Sequence, residues 1–129
     1  MTEVNEHRAK LLALLTDLDL SPSEQGANAI RIMLDGLYAT VLVYGDSTLS
    51  LVCSVRGNGH EWDLQSINAA NNRVRFAKFS VDRGNLLLEA DFVFNIGSSD
   101  AEDQLQQVLK LWRLAVRELR LLVEELVSA

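Results

Sequence analysis

Two hydrophobic periods run along this chain, and the points where they change mark its elements. From Val4 to Leu18 the period is helical: Val4, His7, Leu11, Leu14, Leu15 and Leu18 share one face. "SPSE" at Ser21–Glu24 breaks that pattern. Three runs of period two follow. Ile30, Ile32 and Leu34 alternate with Arg31 and Met33. Leu37 to Tyr44 is apolar or aromatic on both faces, as a central strand is. Leu49, Leu51, Cys53 and Val55 alternate with Ser50, Val52 and Ser54. Turn chemistry at Asp35–Gly36 and Gly45–Ser47 joins these runs, which predicts an antiparallel three-stranded meander.

The helical period then returns briefly. Leu64, Ile67 and Ala70 are spaced by three, which predicts a short helix over Glu61 to Asn71. Asn71–Asn72 suit its C-terminus, because asparagine tolerates the left-handed conformation. Val74 to Val81 reads as a fourth strand, and a bulge near Ala77–Lys78 would turn Val74, Phe76, Phe79 and Val81 to one side. "DRGN" at Asp82–Asn85 is a hairpin turn into Leu86–Phe94, the cleanest alternation in the chain. Ser99 and Glu102 have the spacing of a capping box, which opens a long helix from Asp100 to about Val127. The order α-βββ-α-ββ-α is that of an α+β domain, an antiparallel sheet with helices packed on it.

Length and charge narrow the picture. The 129 residues fit one domain, spanning 1–129, and support a core without disulfides or metals. The formal net charge of −6 disfavours a nucleic-acid binder and suits a basic or apolar protein partner. No apolar run approaches the roughly 18 residues of a membrane span. The charged start "MTEVNEHRAK" has no signal-peptide pattern, so a cytoplasmic protein is expected. Cys53 is the single cysteine, which excludes an intramolecular disulfide.

Candidate chemistry is sparse. His60, beside Glu61 and near Asp63, is the best base with an orienting carboxylate, and a solvated loop residue explains it better. His7 lies on a helix face, and Cys53 points with its apolar neighbours. Asp100, Glu102 and Asp103 read as helix starters rather than metal ligands, because the helix dipole favours carboxylates there. Gly57–Gly59 is too short to cradle a phosphate and reads as turn chemistry. Arg73, Arg75 and Lys78 interleave with Phe76 and Phe79, which read as core residues carrying solvated neighbours. No enzyme, cofactor or metal site is expected.

The last helix says more. Leu105, Val108, Leu109, Trp112, Ala115, Val116, Leu119, Leu122, Val123 and Leu126 make one broad face. Leu114 and Leu121 project from the opposite side, with Leu111 nearer the edge, and Leu12 is similarly off the stripe of the first helix. These four are the expected protein-binding residues. Burying three leucines contributes roughly 5–9 kcal/mol, against an association cost of about 4–15 kcal/mol. A two-fold homodimer would count each leucine twice.

The stretch "INAANNRVRFAKFSVDRGNLLLEADF" followed by a capped helix resembles the YbjN family, described as bacterial sensory transduction regulators. The motif positions are Asn68, then Asn71 or Asn72; Arg75–Phe76 and Lys78; Asp82–Gly84; Leu86–Asp91; and the helix from Asp100. One departure is Ala69–Ala70, where the family carries an aromatic, often tryptophan. The resemblance implies a type III secretion chaperone-like fold and a bacterial, cytoplasmic, often dimeric protein-binding module without catalytic residues. A genuine secretion chaperone or a small-ligand-sensing regulator are the alternatives it leaves.

Overall fold

A computed structural model describes residues 2–44 and 48–128. Three helices and six strands follow in the order α1 (Thr2–Asp17), β1 (Ser23–Glu24), β2 (Ala29–Leu34), β3 (Leu37–Tyr44), β4 (Thr48–Val55), α2 (Leu64–Arg73), β5 (Lys78–Asp82), β6 (Asn85–Val93) and α3 (Ala101–Ser128). The sheet order is β1-β2-β3-β4-β6-β5, antiparallel throughout. The expected order holds, with a two-residue edge strand, β1, added to it. The turn read at Gly45–Ser47 and the side chain of Val4 lie outside the described residues.

Register places the apolar positions on one face. Ile30 pairs with Val41, Val41 with Leu51, Leu51 with Ala90, Cys53 with Leu88, and Leu88 with Phe79. All of these are buried, and with Leu11, Leu15, Ile67, Ala70, Trp112 and Leu119 from the helices they form a single core. The other face is mixed, and polar pairs cross it. Ser50 donates to Asp91 from the adjacent strand, Lys78 stands opposite Glu89, and the Arg31 guanidinium lies 4.5 Å from the Tyr38 ring centre.

Both short hairpins use the tightest connection. Asp35 (φ 52°) and Gly36 (φ 82°) join β2 to β3, and Arg83 (φ 53°) and Gly84 (φ 81°) join β5 to β6. Two consecutive positive φ values are the mark of the primed turn that matches strand twist. The first turn is held from α3, where Arg113 pairs with the Asp35 carboxylate at 3.3 Å and Arg120 donates to the Asp35 carbonyl.

Residues 61–81 differ from the expectation. Asp63 is the N-cap of α2, accepting from Gln65 N at 3.0 Å, and the helix runs on through Arg73 to a Val74 C-cap. Asparagine does not end it. Residues 74–77 are therefore a turn, the strand starts at Lys78, and no bulge is needed. Val74 and Phe79 are buried, whereas Phe76 and Val81 are exposed, so Phe76 is not a core residue. Leu64 is exposed as well. A spacing of three drifts by about 60° per step on a 3.6-residue helix, and α2 turns Ile67 and Ala70, rather than Leu64, onto the core.

The start of α3 also departs in detail. Ser98 and Asp100 hydrogen-bond through their side chains, Asp100 accepts from Gln104 Nε2 at 2.9 Å, and Gln104 Oε1 accepts from Asn95 N at 3.0 Å. The junction is built on these residues rather than on Ser99 and Glu102.

Candidate interaction surfaces

α3 is 28 residues long, about 42 Å at about 1.5 Å per residue. Its inner face carries Trp112, Ala115 and Leu119, all but sealed from solvent. α2 lies antiparallel beside it, because Arg73 pairs with Glu118 at 2.8 Å while Ser66 bonds Glu125 at 2.6 Å. The Arg73–Glu118 hydrogen bond, reinforced by the glutamate's charge, raises the Arg73 pKa. Outside this contact Leu111, Leu114 and Leu121 are 39%, 45% and 55% exposed. Leu12 behaves differently: it is half-buried and packs against the core from α1. Of the four expected leucines, the three on α3 are the ones left in solvent. About half of each side chain is still in water, so covering all three yields roughly 2–4 kcal/mol, not 5–9.

Strand addition is a poor use of this sheet, because both edge strands are short and each end is engaged by a helix side chain. At one end β1 has two residues. Arg8 of α1 binds Glu24 at 2.8 Å and donates to the carbonyls of Gly26 and Ala27. At the other end Asn71 of α2 reaches β5. Its Nδ2 donates to the Phe79 carbonyl at 2.9 Å, and its Oδ1 accepts from Phe79 N at 2.7 Å. Asn68 and Asn72 are exposed and make no such contact. Edges blunted in this way resist pairing with other chains.

A small cleft opens where α2 begins and α3 ends. It is lined by Glu61, Trp62, Asp63, Ser66, Ile67, Leu122, Glu125 and Leu126, with a volume of about 160 Å³. Trp62 is buried and donates from Nε1 to the Gly84 carbonyl at 2.9 Å. Gly57 permits that approach, since a Cβ there would lie 2.3 Å from the Gly84 carbonyl oxygen. Sequence reasoning missed Trp62. A lone tryptophan between Glu61 and Asp63, just ahead of a helical period, was the available signal.

The catalytic candidates do not converge. His60 is exposed and does not line the cleft. Cys53 is buried, and burial pushes its thiol pKa up, away from a reactive thiolate. Among the described residues no cluster of three or more His, Cys, Asp or Glu could hold a metal, and no helix is long and apolar enough to cross a membrane.

Residues 7–125 match the family model of YbjN, described as "Putative bacterial sensory transduction regulator". The chain belongs to the YbjN family. The crystal structure of YbjN from E. coli, "a putative transcription regulator", superposes with a TM-score of 0.58 at 17% identity, over 93% of this chain and 90% of that one. The Yersinia pestis type III secretion chaperone SycH, in complex with a stable fragment of YscM2, gives 0.57 at 18% identity, over 86% and 98%. An uncharacterised protein from Methanothermobacter thermautotrophicus gives 0.59 at 13% identity, over 93% and 99%. No curated protein matches the sequence. The YbjN and chaperone-like α+β architecture is thus shared at identities where only the fold is conserved.

Proposed function

We propose that this YbjN-family chain is a non-enzymatic protein-interaction module that binds a protein partner, or regulates by docking, through the outer face of α3. One observation carries the reading. Leu111, Leu114 and Leu121 stand in solvent on a helix whose opposite face is already spent on the core. The blunted sheet edges support it, since they steer a partner away from strand addition and towards a helix face. The fold shared with SycH, a chaperone solved with a protein fragment bound, favours the chaperone variant of the same reading.

The residual area limits the strength of the contact. A gain of roughly 2–4 kcal/mol is below the association cost of about 4–15 kcal/mol. A homodimer doubles the gain, and a heterologous partner must add contacts of its own. Light scattering on the wild type and on Leu114→Asp with Leu121→Asp is the test. The wild type should self-associate, or bind its partner, and the double variant should not. Equal mass and equal binding in both would reject the α3 face.

A further inference from the structure

We propose that the cleft between the Glu61–Asp63 loop, α2 and α3 receives a basic side chain from a segment of a protein partner. This rests on the reading that the chain works by holding a protein, and it specifies the partner's chemistry. The floor is apolar, formed by Trp62, Ile67, Leu122 and Leu126. The rim carries the carboxylates of Glu61, Asp63 and Glu125, and no lining residue is basic. A lysine or arginine has the matching form, an aliphatic stem ending in a cation.

The rim gathers negative charge around one hydroxyl. The Ser66 hydroxyl stands 2.6 Å from Glu125 Oε1 and 3.1 Å from Asp63 Oδ2. One hydroxyl has one proton, so it serves one of these carboxylates at a time. Asp63, the N-cap of α2, and Glu125 of α3 are thus held at the same oxygen with a single proton between them. These carboxylates are exposed, and a cation bringing several N–H groups exchanges their water for charge-assisted bonds and relieves the like-charge contact. Glu61 makes no hydrogen bond or ion pair among the described residues and adds a third carboxylate.

Size selects the occupant. At about 160 Å³ the cleft falls below the roughly 300–1,000 Å³ of small-molecule sites. It suits one side chain delivered by a longer segment. The net charge of −6 adds a long-range attraction for such a segment.

The cleft carries its own reporter, since the Trp62 indole lines it while the Trp112 indole is buried in the core. The probe is the capped pentapeptide Ala-Leu-Arg-Leu-Ala, titrated into ¹⁵N-labelled protein. The Trp62 indole resonance should move saturably and the Trp112 resonance should stay. Citrulline or glutamate in place of the arginine should bind at least about tenfold more weakly. Glu61→Gln should weaken binding by up to about fivefold, the reach of one solvent-exposed ion pair, and Glu125→Gln similarly. If Glu125→Gln disturbs the fold through Ser66, Glu61→Gln decides. Binding should also fall as salt rises. An unmoved Trp62 resonance, equal binding of the arginine and citrulline peptides, or wild-type affinity in Glu61→Gln would overturn the proposal. Leu114→Asp leaves these lining residues intact, so the α3 face and the cleft can fail separately.

Discussion

Asn71 stands in for a missing strand beside Phe79. In the β5–β6 hairpin, Asp82 and Asn85 close the turn. Ladder bonds alternate from that pair, so Phe79 turns its N–H and C=O outward, to the open edge. The Asn71 amide meets both, donor to acceptor and acceptor to donor. One side chain therefore fastens α2 to the sheet and satisfies the sheet's edge at Phe79.

Replacing Asn71 should expose that dependence. Asn71→Ala leaves two partly buried backbone groups without partners, which costs about 1–3 kcal/mol. Urea unfolding should show the loss, and the Phe79 amide should exchange faster. Asn71→Asp keeps the acceptor for Phe79 N but sets an anionic oxygen against the Phe79 carbonyl. The fold then favours the protonated acid, so the introduced carboxyl has a raised folded pKa. Its penalty should be full at neutral pH and shrink as pH falls. A pH-independent penalty would contradict the assigned hydrogen bonds.

Gly57 is required by contact rather than by conformation. A Cβ would sit 2.3 Å from the Gly84 carbonyl oxygen and 3.1 Å from Trp62 Nε1. The first neighbour is backbone and cannot swing away. Gly57→Ala should destabilise by about 1–3 kcal/mol, the usual range for overpacking. It should also break the Trp62–Gly84 hydrogen bond, seen as a shifted indole N–H resonance. Gly59→Ala meets nothing within 4 Å but must hold φ at 86°, so it should strain its turn without moving Trp62.

What could be read from the sequence follows from how local each cause is. The alternation in β2, β4 and β6 and the Asp35–Gly36 and Arg83–Gly84 turns depend on neighbours in sequence, and each stands where expected. The outward leucines of α3 follow from helix geometry alone. The failures are long-range. Asn71 looked like a helix cap because its true partner, Phe79, lies beyond a turn. Trp62 finds its acceptor 22 residues away. Leu12 fell off its helix stripe by angle, yet the domain wraps round far enough to cover it. The rim of the cleft joins Asp63 to Glu125 through Ser66, a contact no spacing rule contains.

Cys53 should be a slow thiol. It is buried in β4 opposite Leu88, and desolvation raises its pKa. Labelling by an aromatic disulfide reagent near neutral pH should therefore proceed through opening of the sheet rather than by direct attack. The rate should be far below that of an unfolded control and should rise with urea in step with local or global unfolding. Fast, stoichiometric labelling of the native protein would mean that Cys53 is reachable.

Asp100 sets the last pH dependence. Its pKa is lowered, chiefly by the Ser98 hydroxyl, with its own backbone N–H and Gln104 helping against desolvation. A carboxylate whose folded pKa lies below its unfolded value stabilises the fold above the unfolded pKa. That contribution is lost as pH falls through the folded one. Asp100→Asn removes the charge from the start of α3, where the helix dipole favours it. Melting temperatures of the wild type and variant should therefore differ most near neutral pH. They should converge below the ordinary carboxylate pKa of about 3.9. A gap that stays constant, or widens in acid, would show that Asp100 acts through geometry alone and that its carboxylate is not held in the charged form by the Ser98 hydroxyl.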